Sequence, residues 1–152
     1  MSTFAYEKKT VLVTGGAGFI GSHLCEELLK EARVICLDTF ITSQEANIDH
    51  LLKHPDFEFI RHDITQPLDL DSFPELARFQ VKVQGVHEIY HLACPTSPKK
   101  FEQFRMQTLY TNSVGTRHAM DTALRYKAKF VLASSSVVYG NRPQDGHSFV
   151  EE

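Results

Sequence analysis

TVLVTGGAGFIGSHLCEELL, Thr10–Leu29, is the stretch on which the fold turns. It opens with a short β-branched run, Thr10 to Thr14, closed by Gly15-Gly16; from Phe19 to Glu31 apolar residues then recur at helical spacing through Ile20, Leu24, Leu28 and Leu29. The order is strand, tight turn, helix. Gly15, Gly18 and Gly21 form a G-x-x-G-x-x-G array across the turn. Glycine there lets the backbone approach a diphosphate, the helix N-terminus presents unpaired N–H groups to its charge, and the last glycine lets helix and strand pack closely. The three glycines, with Phe19 and Ile20 between them, are therefore candidate cofactor contacts. Glycines serving only a tight helix–sheet turn are the bland alternative.

Asp38 favours the first reading. It ends a second apolar run, Arg33 to Leu37, 23 positions after Gly15. A carboxylate at that strand tip accepts hydrogen bonds from a ribose 2′-hydroxyl but repels a 2′-phosphate, and no Arg or Lys follows it to compensate. The expected cofactor is NAD rather than NADP.

Three more strands are legible at Phe57 to Ile60, Glu88 to Ala93 and Lys129 to Ala133. Between them a short helix is expected over Gln44 to His54, a helix with an irregular connection over Leu70 to Val83, and a long helix from Ser97-Pro98 to about Tyr126. Strands so closely spaced and joined by helices imply parallel pairing and right-handed crossovers. The chain thus reads as an α/β protein, a Rossmann-type doubly wound parallel sheet in order 3-2-1-4-5, with residues 1–152 forming one NAD-binding domain.

One motif competes for attention. His87-Glu88-Ile89-Tyr90-His91 spells H-E-x-x-H, a zinc-protease pattern that works only on a helix. Gly85 and Pro95 bracket the segment and leave little room for one. On a strand, positions four apart lie about 13 Å from each other, too far to share an ion. No metal site is expected.

Composition sets the outer limits. The chain has 152 residues, 42% hydrophobic and 23% charged, enough for one buried core. A net charge of -3 with no basic run offers no footprint for nucleic acid. Cys25, Cys36 and Cys94, an odd number at wide spacing, fit reduced thiols and a cytoplasmic setting. No stretch approaches the roughly 20 apolar residues of a membrane span, and the first nine residues lack the apolar core of a signal peptide.

From Thr10 to Tyr139 the chain resembles the extended short-chain dehydrogenase/reductases that act on nucleotide sugars, most of all the UDP-glucuronate decarboxylases. The resemblance rests on VLVTGGAGFIGSHLCEELL, CLDTF, FIRHDIT, YHLACPTSP, TNSVGT and LASSSVVYG, in that order. It implies that Phe40, Thr42 and Ser43 flank the adenosine ribose and that Asp63 and Ile64 meet the adenine edge. Leu92, Ala93 and Cys94 would line the cofactor after the fourth strand, and Asn112 would be the active-site asparagine. Ser135 would hydrogen-bond the sugar hydroxyl being oxidised, as the one catalytic side chain present. The implied partner is a UDP-sugar, and the long helix resembles one that pairs across the family's homodimers. Read singly, Cys94 could equally be core, Asp63 a turn residue and Asn112 a helix-surface amide.

Two departures qualify the resemblance. Such enzymes carry a Tyr-x-x-x-Lys pair on a later helix, and none of Tyr6, Tyr90, Tyr110, Tyr126 or Tyr139 has a lysine four residues on. The chain is therefore expected to be the N-terminal portion of a longer enzyme, truncated before the C-terminal substrate domain and inactive alone. Val137 stands where the decarboxylases and dehydratases have a glutamate, which points toward the 4-epimerases. A non-catalytic NAD-binding module is the alternative of another class.

Overall fold

The computed structural model describes residues 8–96 and 102–140. Five strands, β1 (Lys9–Thr14), β2 (Ala32–Asp38), β3 (Phe57–Arg61), β4 (Glu88–His91) and β5 (Lys129–Leu132), form one sheet in the order β3-β2-β1-β4-β5. Every pairing is parallel. This is the expected doubly wound order, and its reversal lies between β1 and β4, where the chain leaves β1 for one face and returns to β4 from the other.

The period of two along each strand divides the apolar residues between two cores. Val11, Val13, Val34 and Cys36 point to the face covered by α1 (Phe19–Leu28), where Cys25, Leu29, Ile48 and Leu51 meet them. Leu12, Ile35, Leu37 and Ile89 point to the other face, packing on Leu70, Leu76, Phe79, Ala119 and Ala123. Both faces of β1 and β2 are thus covered, which explains why these strands read as continuous apolar runs rather than alternating ones. Cys25 and Cys36 are buried together in the first core; the contact from Cys25 and burial push the Cys36 thiol up, so it stays protonated.

The structure departs from the sequence expectations in three connecting segments. Over Gln44 to His54 there is no α-helix but a 3-10 turn, Glu45–Asn47, continued by bonds from Ile48 N to Glu45 O, Leu51 N to Ile48 O and His54 N to Leu51 O. The anchors Ile48 and Leu51 are three apart, the 3-10 period, and both are buried. Over Leu70 to Val83 two 3-10 turns, Leu70–Ser72 and Pro74–Phe79, precede one α-turn, α2 (Val81–Gln84). Pro74 cannot donate to a preceding turn, and Gln80 takes the left-handed conformation at φ 53°, so no continuous helix forms. The expected start at Ser97-Pro98 lies outside the described residues. The long helix is described as α3 (Arg105–Tyr110), a wide π-type turn Thr111–Gly115 and α4 (Thr116–Tyr126).

The H-E-x-x-H segment is a strand, as its bracketing residues imply. His91 is buried at the end of β4, whereas His87 precedes the strand and accepts a bond from Thr10 N. Among the described residues no helix is long and apolar enough to cross a membrane.

Candidate functional site

A cleft of about 1090 Å³ opens along the carboxyl ends of the strands, spanning the β1/β4 reversal. Ligands of open α/β sheets bind in this position. Its floor is the turn after β1. Gly15 N donates to Leu37 O at 2.8 Å and Gly18 N to Gly15 O at 3.1 Å, curling the chain tightly before the helix begins. Gly15 has φ +72°, and a Cβ there would lie 2.8 Å from the Ala93 backbone. Only glycine meets both demands. At Gly21 a Cβ would strike the Gly15 carbonyl, so the first turn of α1 can close on the loop only without one. The first intrahelical bond of α1 runs from Ser22 N to Gly18 O. Phe19, Ile20 and Gly21 precede it, so their amides have no intrahelical partner, and all three residues line the cleft, where a helix N-terminus attracts an anion.

Asp38 closes the turn from the neighbouring strand. One carboxylate oxygen accepts from Ala17 N at 3.0 Å, the other from Phe40 N and Ser43 Oγ, each at 2.8 Å. The side chain is nearly buried and lines the cleft. Three donors hold it in one rotamer, and a carboxylate has room for about four bonds, so capacity remains for a ligand hydroxyl. Asn47 supports the same loop, donating from Nδ2 to Ala17 O at 2.8 Å.

At the other end of the cleft the walls are Leu92, Ala93 and Cys94 after β4, Asn112 in the wide turn, and Ser134 and Ser135 after β5. Asn112 Nδ2 donates to Thr108 O at 2.9 Å and to Cys94 Sγ at 3.1 Å. Beneath them His91 lies between Thr14 and Thr116, and burial pushes its pKa down to about 4. Its ring is neutral at physiological pH.

Gly15, Gly18, Phe19, Ile20, Gly21, Asp38, Thr42, Ser43, Asp63, Ile64, Leu92, Ala93, Cys94, Asn112 and Ser135 all line this one cleft. Phe40 does not. Its ring stacks on Phe59 at 4.9 Å under the Arg61 guanidinium and borders a neighbouring hollow of about 460 Å³; only its backbone N–H reaches the cleft's chemistry, through Asp38. Phe40 has φ 61°, a left-handed conformation uncommon outside glycine, whereas its neighbours Thr39 and Ile41 line both the cleft and the hollow. The side chains of Ser136 and Val137 lie outside the described set. Asn47, His62 and Thr116 also line the cleft although the sequence did not mark them as candidates, and His91 lines it although the sequence marked it only within the H-E-x-x-H pattern. Closeness to the ends of β3 and β4 was the one signal available for His62 and His91, whereas Asn47 and Thr116 join the site through contacts distant in sequence, with Ala17 and His91. Among the described residues no group of three or more His, Cys, Asp or Glu side chains is placed to hold a metal ion.

This geometry agrees with what the chain is similar to. The profile of the NAD dependent epimerase/dehydratase family matches residues 11–152. The chain belongs to that family. Among its curated relatives, UDP-glucuronic acid decarboxylase 1 of Arabidopsis thaliana is 41% identical over 132 residues, covering 86% of this chain and 27% of that protein. UDP-glucuronic acid decarboxylase 1 of Danio rerio is 38% identical over 136 residues, covering 89% of this chain and 29% of that protein. Among solved structures, epimerase Mth375 of Methanothermobacter thermautotrophicus aligns with TM-score 0.70 and 30% identity over 97% of this chain and 40% of its own. The UDP-glucose 4-epimerase of Thermus thermophilus, solved as a complex with NAD, aligns with TM-score 0.70 and 29% identity over 93% of this chain and 42% of its own. The chain therefore spans little more than a quarter of these curated relatives' length and about two fifths of these solved epimerases. Over the matched part the solved epimerases share its fold.

Proposed function

We propose that this chain is the NAD-binding domain of a nucleotide-sugar enzyme of the UDP-glucuronate decarboxylase type, and that its cleft holds NAD. The observation that carries this reading is the joint placement of the open α1 amides and the Asp38 carboxylate on one cleft, the first suited to a diphosphate and the second to an unphosphorylated ribose. Asp63 and Ile64 would border the adenine, with Thr42 and Ser43 beside the ribose. Leu92, Ala93, Cys94 and Asn112 would border the nicotinamide half, with Ser135 placed to meet the sugar hydroxyl. Bound NAD supplies a hydride acceptor for the sugar's C4. The protein groups orient the ring, exclude water and polarise the hydroxyl.

The reaction follows from the companion sugar. Oxidation at C4 of a uronic acid would make a β-keto acid whose carboxylate leaves as CO2, C5 taking a proton in its place before the hydride returns to C4; on a sugar without a carboxylate, return to the other face would invert C4. Val137 in place of a glutamate favours the second, 4-epimerase reading, and the HLACPTSP segment the first. Without a Tyr-x-x-x-Lys pair, these 152 residues bind cofactor but turn nothing over.

Isothermal titration of the chain with NAD tests this. Saturable heat at one site per chain is expected, together with a loss of affinity of at least about tenfold in Gly18→Ala, a residue that lines the cleft and whose added methyl would meet only Gly15 O, at 3.2 Å. No heat at millimolar NAD defeats the proposal. NAD binding without CO2 release or C4 inversion on UDP-sugars is the expected behaviour of the chain alone.

A further inference from the structure

His91 is 2% exposed and meets two hydroxyls on opposite sides of its ring. Thr14 Oγ1, at the end of β1, lies 2.6 Å from Nδ1, and Thr116 Oγ1, at the start of α4, lies 3.2 Å from Nε2. Thr116 Oγ1 is also 3.0 Å from the backbone carbonyl of Asn112. Proton counting fixes the direction of this chain. A carbonyl only accepts, and two lone-pair oxygens at that distance repel unless a proton lies between them, so the single hydroxyl proton of Thr116 goes to Asn112 O. Thr116 Oγ1 must then accept from His91, which places the imidazole proton on Nε2. Nδ1 is left as an acceptor and takes the hydroxyl proton of Thr14. Among the described residues no carboxylate bonds the ring, and Phe130 stacks on it with centroids 6.1 Å apart, surroundings that suit a neutral imidazole.

We infer that His91, with its proton on Nε2, is a positioning residue that ties the ends of β1 and β4 to the wide turn Thr111–Gly115 and thereby holds Asn112 on the wall of the cleft. A wide turn inside a helix is uncommon and persists where its surroundings over-determine it. Here the relay supplies one constraint and the bonds from Asn112 Nδ2 to Thr108 O and Cys94 Sγ supply another. Releasing Thr116 would free the turn to rewind toward regular α-helix, which rotates Asn112 away from Cys94. The relevance of Asn112 to a bound cofactor rests on the NAD reading of the cleft; the direction of the relay does not.

The chain labelled with 15N-histidine provides the test. At neutral pH, long-range 1H–15N correlations are expected to show His91 as the Nε2–H tautomer, and an Nδ1–H tautomer or an imidazolium overturns the relay. Thr116→Val keeps the branched shape and removes the hydroxyl. It is expected to raise amide exchange over residues 111–116 at least about tenfold while β1, β2 and β3 stay within about twofold of wild type, with Thr116→Ser restoring protection. Uniform acceleration across the sheet, or no acceleration in the turn, overturns the positioning role. NAD titration separates the two claims: if wild type binds no NAD while tautomer and exchange behave as stated, the cofactor reading falls and the relay stands. If wild type binds NAD and Thr116→Val binds it equally well, the link from relay to cleft is overturned.

Discussion

Among single residues, Asp38 does most to shape the cleft. Its two oxygens already accept three hydrogen bonds, from Ala17 N, Phe40 N and Ser43 Oγ, before any ligand arrives. The carboxylate therefore shapes the cleft as well as facing it. Asp38→Asn replaces one acceptor oxygen by an NH2 group that confronts a backbone donor in a buried place. Stability is expected to fall by about 1–3 kcal/mol in urea denaturation, and the preference for NAD over NADP to narrow in the same variant. A variant as stable as wild type, with its preference intact, would mean the carboxylate serves neither role. This residue was legible from sequence because its distance from the glycines follows from one helix and one strand of ordinary length. Phe40, two residues on, was not, since a positive φ at a phenylalanine has no compositional signal.

Among the elements, the strands could be read because each is a short apolar or β-branched run bounded by turn residues, and β1 and β2 are buried on both faces. The connections could not. Gln44 to His54 has helix-like composition, yet its two buried anchors are three residues apart and the segment closes as 3-10; Leu70 to Val83 is cut by Pro74 and by a left-handed Gln80. Nor does the sequence disclose the wide turn, whose register depends on Thr14, His91 and Thr116 meeting across three elements. That meeting has a pH signature. Burial holds His91 at about 4, below its ordinary value of about 6.5 in the unfolded chain. Between those values the unfolded chain takes up a proton that the folded one refuses, so folding stability rises with pH through the window and is lost as pH falls through it, by about 3 kcal/mol in all. Glu88 and Glu26, held below the usual carboxylate range by Lys9 and His50, add their own loss in acid. The diagnostic is the difference between proteins: from about pH 7.5 to about pH 4.5, His91→Gln is expected to lose less stability than wild type in urea titrations. Equal losses would show that His91 is not buried neutral.

For the whole molecule, one end of the sheet is β5, which pairs only with β4 among the described residues and leaves Leu132 half exposed. Met106, Leu109, Tyr110, Met120 and Leu124 are exposed along α3 and α4. Unpaired strand edges and contiguous apolar side chains favour association. Sedimentation of the chain is expected to show concentration-dependent dimers that Leu109→Lys weakens; a strict monomer at every concentration would leave these side chains without that role. The proposed site for NAD is the crossover after β1, with the diphosphate on its open amides and the adenosine ribose at Asp38. It is tested most directly by following backbone amide resonances of the 15N-labelled chain as NAD is added. The account predicts saturable shifts that are largest at Phe19, Ile20 and Gly21 and extend to Asp38. Shifts that bypass those amides, or a spectrum indifferent to NAD, would contradict it.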